Sequence, residues 1–323
     1  TAHEPVILKG IESPVSFHVV TAELPPSAQA DRWATTFVGR SDELSEALER
    51  LDIGPNSPER DGSGSGGSTA LLVHGSIGIG RTRFMAEVLR AARSHGQAVR
   101  WLVCSAVDST TPFGVVAHLL HVDPIVSIAP SASGRLFDLE ADLDRLGLDR
   151  SETLALLAPL LGIEPGEGYE PAGVDITKLH DRMLDAVRRW ISALARHLGD
   201  PGSPGLLIGV DDLHLADPSS LQLLSSLANL PVAGVKLLAT ARTGEKVIEG
   251  RGVASLELGP LSAVEAQAML LELGPTIDDA TAASILGRCD GNPWFLEEMV
   301  EQAAGVDADG DAPTPFDPPS GTT

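Results

Sequence analysis

Gly75-Ser-Ile-Gly-Ile-Gly80-Arg81-Thr82 decides the fold of this chain. The string follows the phosphate-loop pattern G-x-x-x-x-G-K-[ST] at every position but one, with Arg81 where the pattern has Lys. In such a loop backbone N–H groups of the glycine-rich turn cradle phosphates, the Lys reaches the β- and γ-phosphates, and the hydroxyl holds Mg²⁺. The flanking sequence fits that reading. Residues 69–74 (Thr-Ala-Leu-Leu-Val-His) are an apolar run suited to a buried parallel strand, and Phe84, Met85, Val88, Leu89 and Ala92 then recur at helical spacing. The loop thus joins a strand to a helix N-terminus, where the dipole favours anions.

Outward from the loop, Arg100-Trp-Leu-Val-Cys-Ser105 reads as a second buried strand, and Pro112–Leu120 as a helix beginning near Thr111. Residues 123–172 are weakly patterned and helical in parts. Ile176–Leu198 is a long amphipathic helix with Leu179, Met183, Val187, Ile191 and Leu194 on one side. Leu206–Val210 is a third strand, followed by a helix over 217–229 and a strand Val235–Ala239. Strands alternating with helices predict an α/β fold, a parallel sheet covered on both faces, while past Pro260 the pattern is helical only. Upstream, a helix carries Leu44, Leu48 and Leu51 on one face, and residues 54–68 form a Gly/Ser-rich flexible loop. Residues 6–20 read as a β-hairpin around Glu12-Ser13-Pro14, followed by a Pro-rich linker, and residues 306–323 as a tail without a core.

Composition narrows the function classes. The 323 residues are 43% apolar, enough for one large domain or two modest ones. Acidic residues (45) outnumber basic ones (23), and the formal charge of −22 repels nucleic acid and anionic membranes. Cys104 and Cys289 lie in no Cys/His cluster, so neither a disulfide framework nor a zinc site is expected. That cysteine usage leads to the expectation of a reduced, cytoplasmic setting, and with no apolar run long enough to span a bilayer and no signal peptide, no membrane span is expected. The first residue is Thr, and the chain reads as a piece of something longer.

Three further positions carry chemistry. The third strand ends in Asp211-Asp212, where Asp211 can hold Mg²⁺ opposite the Thr82 hydroxyl and Asp212 can polarise an attacking water. Alone, such a pair caps a helix or marks a turn as readily; beside a phosphate loop in the same α/β pattern, the metal reading is preferred. Arg242 follows the fourth strand at the carboxyl edge, where ligands of open parallel sheets bind, and can sense a γ-phosphate or serve as a surface ion pair. His214 either orients a water or packs. Arg81 keeps its charge and grips phosphate bidentately, yet it is bulkier and planar where the loop normally holds a compact ammonium. Nucleotide binding is expected, and slow hydrolysis.

Residues 36–302 resemble the STAND class of signalling ATPases within the wider AAA-like P-loop group, in particular the module that follows a class III nucleotidyl cyclase domain in bacterial, mainly actinobacterial, regulators. Phe37-Val-Gly-Arg40 with Glu43-Leu44 is similar to the motif beside the adenine, and Gly75–Thr82 with Arg83 to Walker A. Thr111-Pro-Phe-Gly114 resembles the segment after the second strand, and Asp211-Asp-Leu-His-Leu-Ala-Asp-Pro218 Walker B with its extension. Leu258-Gly-Pro-Leu-Ser262 and Gly291-Asn-Pro-Trp-Phe-Leu-Glu-Glu298 are similar to the start and the Gly-x-Pro signature of a helical lid. Two departures stand out: Arg81 for Lys, and Leu215 where the family often has Trp.

The resemblance implies a P-loop NTPase core over 36–258, a helical lid over 259–304, and a linker or disordered tail over 305–323. Residues 1–22 look like the terminal hairpin of an upstream cyclase domain, joined by a linker over 23–35; cyclase activity is not expected from them. ATP or ADP with Mg²⁺ is the implied ligand. Val38, Gly39, Arg40, Gly75, Gly78, Ile79, Gly80, Arg81, Thr82, Arg83 and Pro293 would bind nucleotide, Thr82 and Asp211 the metal, and Asp212 and Arg242 would act in hydrolysis. The lid turn Gly291-Asn292-Pro293 would face base or ribose. The implied function is an ATP-binding, slowly hydrolysing regulatory module linked to a cyclase or to transcription, partnered by upstream and downstream domains, with nucleotide-dependent oligomers and no direct contact to nucleic acid or membrane. The alternative is a degenerate P-loop scaffold that binds protein without nucleotide turnover.

Overall fold

A computed structural model describes residues 36–54, 69–122, 132–163, 176–198, 205–229, 232–245, 247–274 and 277–309. The hairpin read at 6–20, the linker, and the tail from 310 onward lie outside these residues. Five strands form one parallel sheet in the order β2-β3-β4-β1-β5, with β1 at Ala70–Gly75, β2 at Ala98–Val103, β3 at Leu206–Asp211, β4 at Val235–Arg242 and β5 at Val253–Leu258. All of β3 and nearly all of β1 and β4 are buried, as expected of strands covered on both faces.

Helices α1 (Ser41–Arg50) and α2 (Arg81–Ser94) cover one face, where Phe84, Met85 and Leu89 pack on Leu71, Val73 and Leu238. The other face carries α3 (Gly114–Val122), α4 (Ala132–Arg145), α5 (Arg150–Leu157), α6 (Ile176–Leu198) and α7 (Pro218–Asn229), centred on Trp190, Leu120 and Leu154. A separate apolar cluster of Leu261, Leu270, Ile285, Leu296 and Val300 holds α8 (Ala263–Leu273), α9 (Asp279–Cys289) and α10 (Pro293–Asp309) together. The chain is a three-layer α/β P-loop core followed by a helical unit.

Three departures from the sequence reading have physical causes. Strand β2 ends at Val103, because its partner β3 ends at Asp211, whose carbonyl accepts from Cys104 N at 2.9 Å before the chain turns away. Helix α3 begins at Gly114, after Phe113 adopts φ 59°. Edge strand β5 is absent from the sequence reading: only Leu256 and Leu258 of it are buried, so its apolar signal is weak. At the other end, α10 runs to Asp309, past residue 306, where composition starts the tail.

Asp217 explains how the strained Phe113 is held. Its buried carboxylate accepts from the backbone N–H of Phe113 (2.9 Å), Gly114 (3.0 Å), Ser219 (3.0 Å) and Ser220 (3.0 Å), capping α7 and fastening the segment after β2 to the segment after β3. Removing it strands several buried donors at once. Asp217→Ala should therefore destabilise the chain by roughly 2–4 kcal/mol, within the range for breaking buried hydrogen-bond networks. Urea denaturation checks this, and a loss under about 0.5 kcal/mol would mean that water replaces the carboxylate.

Candidate nucleotide site

Strand β4 lies between β1 and β3, so the phosphate loop after β1 and the acidic end of β3 face each other across it at the carboxyl edge. Register fixes the geometry: Gly75 is level with Arg242, and Val210 with Ala239. Gly80 (φ 92°) ends the loop and its carbonyl accepts from Phe84 N at 2.9 Å, starting α2 with its N-terminus at the loop. No side chain caps α2 there, which leaves its first N–H groups available to an anion.

Asp211 is 1% exposed. The Thr240 hydroxyl donates to it, the Thr82 hydroxyl hydrogen-bonds to it, and Asp212 N donates at 3.2 Å. Burial, the dominant cause, raises its carboxyl above the ordinary aspartate range, with neighbouring Asp212 adding to the rise and the hydroxyl bonds opposing it. A carboxylate and a hydroxyl in contact at the base of a phosphate loop form a donor set suited to Mg²⁺, which would offset that burial cost. Thr82 and Asp211 would hold the ion.

The Arg81 guanidinium is already engaged within the protein. It folds back across the loop, donating from Nη1 to the carbonyls of Gly75 (2.5 Å) and Ser76 (3.2 Å) and from Nη2 to Asp212 Oδ1 at 3.0 Å. The side chain is 11% exposed, and its buried Nε has no hydrogen-bond partner. Asp212, in the left-handed region at φ 52°, is pinned by its own N–H to Thr240 Oγ1 at 2.9 Å. The group expected to align water is thus ion-paired to the group expected to hold phosphate. Arg242 is exposed at the end of β4.

Arg40 joins three segments. Buried and at φ 57°, it donates from Nη2 to Ile79 O in the loop and Gly259 O at the start of the lid, both at 2.9 Å, while its backbone N–H donates to Glu265 Oε1 at 2.6 Å. Glu265 is also the N3 residue of a capping box, accepting at Oε2 from Ser262 N at 2.8 Å. The Arg40 N–H, first among several hydrogen bonds, holds the Glu265 carboxyl below the usual range, whereas burial lowers the Arg40 guanidinium. Gly39 (φ 73°) permits this approach, since a Cβ there would lie 2.5 Å from Glu265 Oε1.

The lid turn reaches the loop itself. Asn292 Nδ2 donates to Ile77 O (3.0 Å) and Trp294 N to Gly78 O (3.2 Å). A Cβ on Gly78 (φ 77°) would meet Asn292 Oδ1 at 2.8 Å, so this close seat requires glycine. Between loop, residues 36–40 and lid lies a cavity of about 270 Å³. Phe37, Val38, Leu261, Met269, Leu273 and Trp294 give it an apolar side; Arg40, Gly78, Ile79, Gly80, Arg81, Thr82, Arg83 and Pro293 also line it. Gly39 and Gly75 are not among its lining residues and act through the backbone, while Asp211, Asp212 and Arg242 stand at the sheet edge beyond it.

Three residues with a part in this arrangement had no role assigned from the sequence. Thr240 is hidden inside an apolar strand. Asp217 sits in a motif whose other members drew the reading, and the signal that could have found Glu265 is the S-x-x-E capping pattern that starts at Ser262.

Comparison with known proteins agrees with this geometry. The chain matches the AAA ATPase domain over residues 36–239, more than half of its 323 residues. A protein of Rhizobium meliloti (strain 1021), described as uncharacterized, is 25% identical over 260 residues, covering 75% of this chain and 23% of that protein. This chain thus spans about a quarter of that relative. Among solved structures, a STAND protein with a tetratricopeptide repeat sensor from Pyrococcus horikoshii aligns with TM-score 0.45 and 16% identity over 82% of this chain and 30% of that one. The Thermotoga maritima RuvB Holliday junction branch migration motor aligns with TM-score 0.40 and 13% identity over 85% and 65%. Family match, strand order and the phosphate loop at the end of β1 agree: this chain belongs to the AAA ATPase domain family.

Proposed function

We propose that this chain is a nucleotide-operated regulatory module. It binds ATP or ADP with Mg²⁺ at the carboxyl edge of the sheet, hydrolyses ATP slowly, and passes nucleotide state to neighbouring domains through the lid. The observation that carries the reading is the convergence, on one sheet edge, of the phosphate loop, the Thr82–Asp211 pair and a lid turn hydrogen-bonded to the loop. Gly75–Arg83 would hold the phosphates with Val38, Gly39, Arg40 and Pro293 around base and ribose, Asp212 would align water, and Arg242 would face the γ-phosphate. Regulation requires ATP to bind two lid arrangements with different affinity, because equal affinity shifts nothing. The larger protein in which it acts is read as cytoplasmic and signalling, with a cyclase domain upstream, regulatory domains downstream, and nucleotide-dependent oligomers. No described helix is long and apolar enough to cross a membrane.

A second reading has its own observation. The Arg81–Asp212 ion pair uses both groups internally, as a degenerate scaffold that binds proteins without turnover would. Calorimetry separates the two: the module takes up Mg-ATP at millimolar concentration or below, and the scaffold gives no binding heat.

Arg81→Lys should preserve or raise affinity and speed hydrolysis, because an ammonium reaches phosphate without occupying Asp212 in a planar grip. Wild-type turnover of tens per second, above the usual enzyme median of about 10 s⁻¹, would contradict the slow switch. Asp212→Asn should leave binding nearly intact while removing residual hydrolysis. Asp211 differs in sign. Its raised folded-state value means that the native chain binds more protons than the unfolded one, so stability falls as pH climbs from the ordinary aspartate range through the raised value. Asp211→Asn should therefore raise the nucleotide-free melting temperature at neutral pH and cancel the further rise given by Mg-ATP. A lower melting temperature without nucleotide would show that the carboxylate's hydrogen bonds outweigh its burial.

A further inference from the structure

One buried side chain beside this site has neither of its polar atoms satisfied. His214 lies in the short turn Leu213–Leu215 after β3; its side chain is 5% exposed, and neither Nδ1 nor Nε2 makes a hydrogen bond. A neutral imidazole carries one N–H and one lone pair, and burying both unpaired costs free energy that nothing inside the fold returns. The nearest carboxylate oxygen, Asp212 Oδ1, is 3.8 Å from Nδ1, beyond hydrogen-bond reach.

The charged groups around the ring define its surroundings: Asp212 at the end of β3, Arg81 in the first turn of α2, and Arg242 and Glu245 at and beyond the end of β4. Burial, the dominant cause, holds the imidazole below its usual range; Asp212 opposes it, Arg242 and Arg81 add to it, and Glu245 opposes it weakly, so at neutral pH the ring is an uncharged donor. Both arginines stand at the start of the loop, Arg242 level with Gly75 and Arg81 bonded to the Gly75 and Ser76 carbonyls, away from the α2 N-terminus; on the nucleotide reading this is the side left to the outermost phosphate. A neutral N–H is a fitting group at that point, since it binds an anionic oxygen without placing a third cation between Arg81 and Arg242.

We propose that His214 distinguishes a nucleoside triphosphate from a diphosphate, donating its ring N–H to an oxygen of the terminal phosphate. This rests on the nucleotide reading above and adds to it the residue that reads the last phosphate. Arg81 already pairs with Asp212 in the free protein and Arg242 is open to solvent, whereas His214 is a buried group at this edge whose two ring nitrogens are both unspent.

The test is calorimetric titration of the full chain with Mg-ATPγS and with Mg-ADP, for wild type, His214→Leu and His214→Gln. His214→Leu should weaken ATPγS about tenfold, the scale of a hydrogen bond to a charged group, and leave ADP within about twofold. His214→Gln, whose carboxamide still donates, should recover part of the loss. Equal losses for both nucleotides, or none for ATPγS, overturn the proposal while leaving the nucleotide reading intact. Absence of binding in the wild type overturns both. A second measurement needs no variant to fold well: in the ¹⁵N-histidine-labelled wild type, one ring nitrogen of His214 should shift on saturation with ATPγS and not with ADP. An unmoved resonance under bound ATPγS rejects the contact.

Discussion

The buried Arg40 ties the phosphate loop to the lid. One Nη of this side chain bonds the phosphate loop at Ile79 and the start of the lid at Gly259, and the backbone N–H of the same residue bonds Glu265 in α8. The phosphate loop and the start of the lid, far apart in sequence, are therefore registered against one rigid planar group, whose fixed fork tolerates little change in the angle between them, and the backbone of the same residue holds α8. Burying a guanidinium costs free energy unless its hydrogens are satisfied; here two backbone carbonyls satisfy Nη2, while buried Nη1 makes no hydrogen bond and lies 3.8 Å from Glu43 Oε1. The loop thus inherits its position from the lid as well as from β1.

Charge is distributed in the same sense. The chain carries a formal charge of −22, yet Arg40, Arg81, Arg83 and Arg242 gather around the loop and the sheet edge next to it. A triphosphate approaching this protein meets repulsion at long range and attraction only within the last few ångströms, where low local dielectric strengthens each contact. Such an arrangement favours tight local recognition over fast capture. It also explains how a strongly acidic protein can offer an anion site. Glu272 and Glu297 line the cavity as well, and burial raises the Glu297 carboxyl while Arg83 opposes that rise.

Much of this was legible in the sequence because parallel strands buried on both faces leave continuous apolar runs, and because a phosphate loop needs glycine at fixed offsets. Ile176–Leu198 reads directly as α6, since one face of a long helix repeats its apolar residues many times. Strand β5 escaped because a half-covered edge strand spends few apolar residues. The presence of Arg81 was visible, but the direction of its side chain was not: the sequence places a cation at the loop, and only packing turns it onto Asp212. Likewise Thr240 has nothing in its neighbourhood of sequence to separate it from the rest of β4, and becomes a partner of Asp211 through strand order alone.

The bonds from Trp294 N to Gly78 O and from Asn292 Nδ2 to Ile77 O put the first turn of α10 in direct touch with the peptide groups of the phosphate loop. Helix α10 has 17 residues, so it is about 25 Å long. Seated on the loop at one end, it has the geometry of a lever with a short arm on the loop. A tilt of about 10° at its base would sweep its far end by about 4 Å for a rod of that length. A reorientation of one loop peptide that tilted α10 in this way would become a displacement as large as a side chain at the point where the described structure ends.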